Sequence, residues 1–120
     1  MKAITIRQPF AWLIVKGRKD IENRSWRTHY RGPLLIHSAS KFANVPLSEI
    51  EDTYQVRLPA IDKMKCGGIV GVCELVDCVT EHRSKWFDGP YGFVLRNARE
   101  LPFRKISGGL GLWNYPRSAR

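Results

Sequence analysis

Apolar and polar residues alternate over Lys2–Arg7, with Ile4 and Ile6 on one side and Ala3, Thr5 and Arg7 on the other, which predicts a short first strand. Gln8-Pro9 ends that run, and the period then changes. Phe10, Leu13 and Ile14 recur at helical spacing before Gly17, so Phe10–Lys16 is expected to be a compact helix with proline at its start and glycine at its stop. Trp12 in that helix has two readings, a core aromatic and a stacking surface for a ligand. Asp20–Arg24 alternates again, placing Asp20, Glu22 and Arg24 on one face and Ile21 and Asn23 on the other. A carboxylate beside a guanidinium is either a solvated ion pair of small worth or the polar end of a pocket. Trp26–Tyr30 is basic and aromatic, and Arg31-Gly32-Pro33 reads as a turn. Leu34–Ser38 is then a strand that passes from aliphatic to polar at His37 and Ser38, as a strand does at a cavity or a barrel rim.

Further along, Pro46–Leu58 carries its carboxylates early and Arg57 late, an arrangement suited to the helix dipole, and Leu47, Ile50, Tyr54 and Leu58 recur at packing intervals. Gly67–Val79 is the longest strand candidate. Ile69, Gly71, Cys73, Leu75 and Asp77 alternate there with Val70, Val72, Glu74, Val76 and Cys78, so Glu74 either reaches a pocket or belongs to an ion pair. Thr80–Pro90 reads as a loop in which His82, Arg83, Lys85, Trp86 and Phe87 mix positive charge with aromatic surface. Tyr91–Leu95 and Leu101–Ile106 are expected as two strands joined by a polar turn at Asn97–Glu100. The Gly108-Gly109-Leu110-Gly111 loop lacks the spacing and the lysine of a phosphate-binding fingerprint, and Trp113 is expected to plug the core.

Charge narrows the partner. The formal net charge is +9 in 120 residues and the pI is near 9.9, which favours a polyanion. Met1–Lys41 holds nine basic residues against two acidic ones, whereas Glu49–Asp62 is acidic and is expected to face away from any nucleic acid. The three cysteines are odd in number and lack metal-knuckle spacing, and the three histidines lack ligand spacing, so reduced thiols and no metal site are expected. The first residues enter a strand directly and no stretch approaches membrane-spanning length, which leads to the expectation of a cytoplasmic protein without membrane contact.

The ordered set Gln8-Pro9, Gly17-x-Lys19-x-x-Glu22-x-Arg24, Tyr30-Arg31-Gly32, Ile36-His37-Ser38-Ala39, Gly68-Ile69-Val70-Gly71, Tyr91–Leu95 and Gly108–Trp113 resembles the ASCH domain family of PUA-like β-barrels. The resemblance implies an α+β fold, a PUA-like and mainly antiparallel β-barrel with flanking short helices, over residues 1–116, followed by a basic tail at 117–120. It implies a cleft around Lys19, Glu22, Arg24 and Glu74 for RNA or a modified nucleotide, with DNA as another polyanion of the same kind. Trp12, Lys16, Arg18, Trp26, Arg31, His37, Ser38, Trp86 and Tyr91 are the further candidates for contact with such a ligand. Some members of the family are similar to ribonucleases or to amidohydrolases that deacylate N4-acetylcytidine with a lysine, a threonine and a glutamate. Lys19 and Glu74 would match the lysine and the glutamate here, but Glu22 stands where the threonine is expected, so a water-activating carboxylate replaces a nucleophilic hydroxyl. Binding is therefore the first reading and hydrolysis the alternative, with a peptide-binding regulatory domain as a third. No cofactor is expected, and oligomeric state is left open.

Overall fold

Period-two segments of the chain join into one mixed sheet in the structure, a computed structural model that describes residues 1–117. The elements in chain order are β1 (Lys2–Gln8), α1 (Phe10–Val15), β2 (Ile21–Arg24), β3 (Gly32–Phe42), α2 (Leu47–Tyr54), a single 3-10 turn at Ile61–Lys63, β4 (Gly68–Val79), β5 (Tyr91–Lys105) and β6 (Leu112–Asn114). The strand order is β2-β5-β4-β3-β1-β6, antiparallel throughout except for the parallel β1–β3 pair.

Apolar residues cover both faces. Ile4, Ile6, Leu34, Ile36, Cys73, Leu75, Phe93 and Leu95 form the inner core, onto which α1 lays Ala11, Ile14 and Val15. The helix comes so close at Gly71 that a Cβ there would stand 2.4 Å from Val15 Cγ1 and 2.6 Å from the Arg99 carbonyl, so only glycine fits. On the opposite face Ala3, Leu35 and Ile69 pack against Trp113. A third cluster of Leu13, Ile21, Ile50, Trp86 and Val94 fastens α2 and the β4–β5 loop over the β2 end of the sheet.

The ladder has two ends. Among the described residues β2 pairs only with β5, and β6 covers only Lys2–Ile4 of β1, so the expected closed barrel is replaced by an open sheet in which β2 and β6 are the edges. The sheet nonetheless curls far enough for Arg24 Nη2 on β2 to donate to the Thr5 carbonyl on β1 at 2.9 Å, although β1 lies fifth in the order and β2 first. A seam bridged by a side chain thus stands where backbone pairing would close the sheet.

Other expectations change in extent. The polar turn expected at Asn97–Glu100 lies inside the continuous strand β5: Arg96, Arg99 and Glu100 pair with Glu74, Val72 and Gly71, and register shifts absorb the irregularity around Asn97, whose φ is +54°. The second helix stops at Tyr54 rather than Leu58, because Gln55 turns left-handed. β3 runs beyond the expected Leu34–Ser38, to Phe42. Trp113 covers the outer face instead of plugging the interior. Of the tail at 117–120, Arg117 is tied down by donation to the Ser107 and Gly108 carbonyls, while 118–120 lie outside the described residues.

Candidate nucleic-acid site

Gly17 sets up the site. At φ +74° it turns the chain back under α1, where the Arg18 and Lys19 amides both donate to the Leu13 carbonyl, and the Lys19 side chain is thereby aimed inward rather than into solvent. Lys19 is only 6% exposed. Its ammonium donates to the Ile21 carbonyl on the free edge of β2 and lies 3.4 Å from Glu22 Oε1. The same ammonium stands 5.6 Å from the Phe10 ring centroid and 5.8 Å from that of Trp86, within reach of both ring faces. Burial lowers the pKa of this amine from its ordinary 10.5, with the nearby Glu22 carboxylate pulling the other way.

Glu22 is the hinge of the charge array. Its Oε1 faces Lys19 and its Oε2 accepts from Arg24 Nε at 2.9 Å, so one nearly buried carboxylate separates two cations. Asn23 on the other face of β2 holds the covering loop: its amide donates to the Trp86 carbonyl at 2.9 Å and its Oδ1 accepts from the amides of Asp88 and Gly89. Trp86 is fixed further by donation from Nε1 to the Arg18 carbonyl at 2.8 Å and by a stacked contact with Tyr54 at 4.2 Å.

These groups surround a cleft of about 580 Å³ at the seam between β2 and β1. Arg7, Lys19 and Arg24 supply positive charge, Glu22 and Asp88 negative charge, and Phe10 and Tyr54 aromatic surface, with buried Trp86 behind Tyr54. The volume and the mixture suit a planar ligand with polar edges.

Four of the expected residues converge here: Lys19, Glu22, Arg24 and Trp86. The others lie elsewhere. Glu74 is exposed on the outward face of β4 and accepts from Asn97 Nδ2 at 3.1 Å, because the inward period belongs to Gly71, Cys73 and Leu75. His37 and Ser38 are buried on the far side of β1, where His37 Nε2 donates to the Ile106 carbonyl and Ser38 Oγ to that of Gly68. Lys16 is paired with Glu100 at 2.8 Å, and Arg31 binds the carbonyls of Thr28 and Tyr30. Trp26 packs edge-on to Phe93, Tyr91 lies under Arg27, and Trp12 lies under Arg18 beside a different groove. Phe10 and Tyr54 are the contributors that sequence reasoning assigned to packing alone. Both do pack, and the same rings also face the cleft.

A small basic α+β domain with a charged and aromatic cleft at the seam of a curled sheet is the class that this fold and site define. The chain belongs to the ASCH domain family, whose pattern matches residues 4–109. Two proteins named activating signal cointegrator 1, from Homo sapiens and Mus musculus, are 30% and 29% identical to it over 126 residues. Each alignment covers 92% of this chain and 21% of the relative, so the chain spans about a fifth of their length. Among the described residues, no helix is long and apolar enough to cross a membrane and no cluster of His, Cys, Asp and Glu is arranged to hold a metal ion.

Proposed function

We propose that this domain binds RNA through the seam cleft, taking one nucleotide unit between its aromatic walls and its charge array. The observation that carries the reading is Glu22 held between Lys19 and Arg24 beside Phe10, Tyr54 and Trp86. Each carboxylate oxygen of Glu22 keeps an acceptor lone pair for a base amine, the half-buried Phe10 and Tyr54 rings offer stacking surface with buried Trp86 stacked behind Tyr54, and Arg24 and Arg7 face the cleft as partners for phosphate. The reading takes the curled sheet of residues 1–116 as one PUA-like domain, its seam spanned by the Arg24–Thr5 bond. The net charge of +9 supports a polyanion over a peptide. Fluorescence titration with single-stranded RNA at several salt concentrations tests it. Affinity is expected to fall as salt rises, and Arg24→Gln is expected to weaken binding about tenfold, in line with a charge-assisted contact of ~1.5 kcal/mol. Salt-independent binding, or none at low salt, overturns the reading.

One observation supports a second reading, hydrolysis of an N4-acylated cytidine. Lys19 is a buried amine whose pKa is lowered, so a larger share of it than of a solvated lysine is free base, able to take a proton from water as that water attacks the acyl carbon. Glu74 has no part in this reading, since it lies outside the cleft. Purified protein would then release cytidine and acetate from N4-acetylcytidine, and Lys19→Ala would abolish the release. No turnover by the wild type leaves the cleft to binding.

A further inference from the structure

Trp12 is excluded from the seam cleft, yet it borders a groove of its own. That groove, about 390 Å³, lies on the other flank of α1 between Trp12 and Phe103, with Lys63 and Lys65 along it. Each aromatic end carries a cation: the Arg18 guanidinium stands 5.4 Å from the Trp12 ring centroid, and the Lys65 ammonium 5.3 Å from that of Phe103. Glu100, also in the groove wall, is paired with Lys16 at 2.8 Å. Lys63 and Lys65 are exposed, and Trp12 and Phe103 are half-buried.

One buried side chain ties this arrangement together. Gln8, 1% exposed, donates from Nε2 to the Lys65 carbonyl at 2.9 Å and accepts the Trp12 amide at Oε1 at 2.8 Å. The backbone under one aromatic–cation pair is thus bonded through Gln8 to the backbone under the other. The two pairs form a preset surface rather than two independent side-chain contacts, and presetting lowers the ordering cost of binding. Aromatic rings interleaved with cations, with no base-reading constellation between them, match the requirements of an unpaired strand: bases stack on ring or guanidinium planes while ammonium groups meet phosphates.

We infer that the Trp12–Phe103 groove is a second contact site for single-stranded nucleic acid, binding bases by stacking and phosphates through Lys63 and Lys65, without sequence preference. This rests on the nucleic-acid reading of the seam cleft and adds a separate surface to it. A longer strand gains affinity from both sites, whereas a mononucleotide held in the seam cleft gains nothing from the groove.

The test compares a fluorescein-labelled oligouridylate of roughly twelve nucleotides, within the site sizes of small single-strand modules, with uridine monophosphate. The variants are Lys63→Glu/Lys65→Glu, which touches only exposed ammonium groups, and Phe103→Leu, which keeps apolar bulk but removes the ring. The double reversal is expected to weaken the oligonucleotide about tenfold or more at low salt. It should also make the slope of log K against log salt less negative by about 1.4, at ~0.7 per single-strand phosphate contact. Phe103→Leu is expected to cost about fivefold, the lower end for one base–aromatic stack. Uridine monophosphate binding should stay at the wild-type value in both variants, and thermal melting in the double reversal, while Phe103→Leu, whose ring covers Gly68, should melt somewhat lower without losing mononucleotide binding. Parallel loss of oligothymidylate affinity would support a groove that ignores the sugar, as stacking and phosphate contact require. Unchanged oligonucleotide affinity and salt slope in both variants overturn the groove while leaving the seam cleft intact, provided Arg24→Gln still weakens binding. If the wild type binds neither probe, both sites fall together.

Discussion

Glu22 is the residue whose loss the molecule tolerates least in the site, because its charge is shared by two cations. With Lys19 6% exposed and Arg24 joined to the same carboxylate, Glu22→Gln leaves two positive groups facing each other in a poorly solvated space. Breaking a buried pair in this way costs about 3 kcal/mol or more. The cost depends on pH, and its sign follows from Lys19. Burial depresses the folded-state pKa of the amine below 10.5, so between that depressed value and 10.5 the unfolded chain binds more protons and stability rises with pH. Glu22 opposes the depression; without it the amine falls further and sheds its proton earlier. The deficit of Glu22→Gln is therefore expected to be largest near neutral pH and to shrink as pH rises toward 10, leaving the share owed to Arg24, which stays charged. Urea unfolding of wild type and variant across that range checks the trend, and a deficit that grows with pH would contradict the burial of Lys19. Cys73 is the complementary case, since burial pushes its thiol up to about 12 and keeps it protonated and inert at neutral pH.

Among the elements, the β4–β5 loop decides whether the cleft has a wall. Asn23 fastens it to β2, with a side chain that makes three bonds to the segment Trp86–Gly89. Asn23→Ala is expected to cost about 1–3 kcal/mol and to speed amide hydrogen exchange at Asp88 and Gly89 more than in β4 or β5, because an opened loop exposes those donors first. Uniform acceleration across the sheet would instead make Asn23 a general stability residue. The charge array is legible in the sequence because Glu22 and Arg24 share one face of a period-two run and Lys19 completes the pattern Gly17-x-Lys19-x-x-Glu22-x-Arg24. Phe10 and Tyr54 are not, since a ring at helical spacing looks the same whether its edge meets core or cavity. Glu74 misleads for a different reason: period two separates two faces correctly but does not say which one turns inward, and here the face of Cys73 and Leu75 does. β5 reads as two strands divided at Asn97 because a bulge and a turn use the same residues, and only pairing with β4 distinguishes them. Closure of the sheet is likewise beyond local pattern, since it depends on how β2 meets β1 across the seam.

At the scale of the whole molecule, charge is distributed unevenly around the cleft. α2 contributes the Tyr54 ring to its wall but also carries Glu49 and Asp52, both exposed, so the acidic segment flanks the site instead of lying remote from it. A strand approaching on that side meets repulsion, while the β1 side presents Arg7, exposed and part of the cleft lining. The field therefore favours approach from the β1 side, an effect on encounter more than on the bound contacts. Neutralising the flank with Glu49→Gln/Asp52→Asn leaves the cleft lining untouched. It is expected to raise the association rate for a single-stranded oligonucleotide about two- to threefold at low salt. If the strand is held in the seam cleft as proposed, the dissociation rate should not change, because neither carboxylate lines that cleft. Near 1 M salt, where screening acts within ~3 Å, the gain should vanish. Stopped-flow association and dissociation at several ionic strengths separate the two rates. If the variant changes dissociation instead, or keeps its advantage at high salt, then α2 contacts the bound strand directly and approach from the β1 side is wrong.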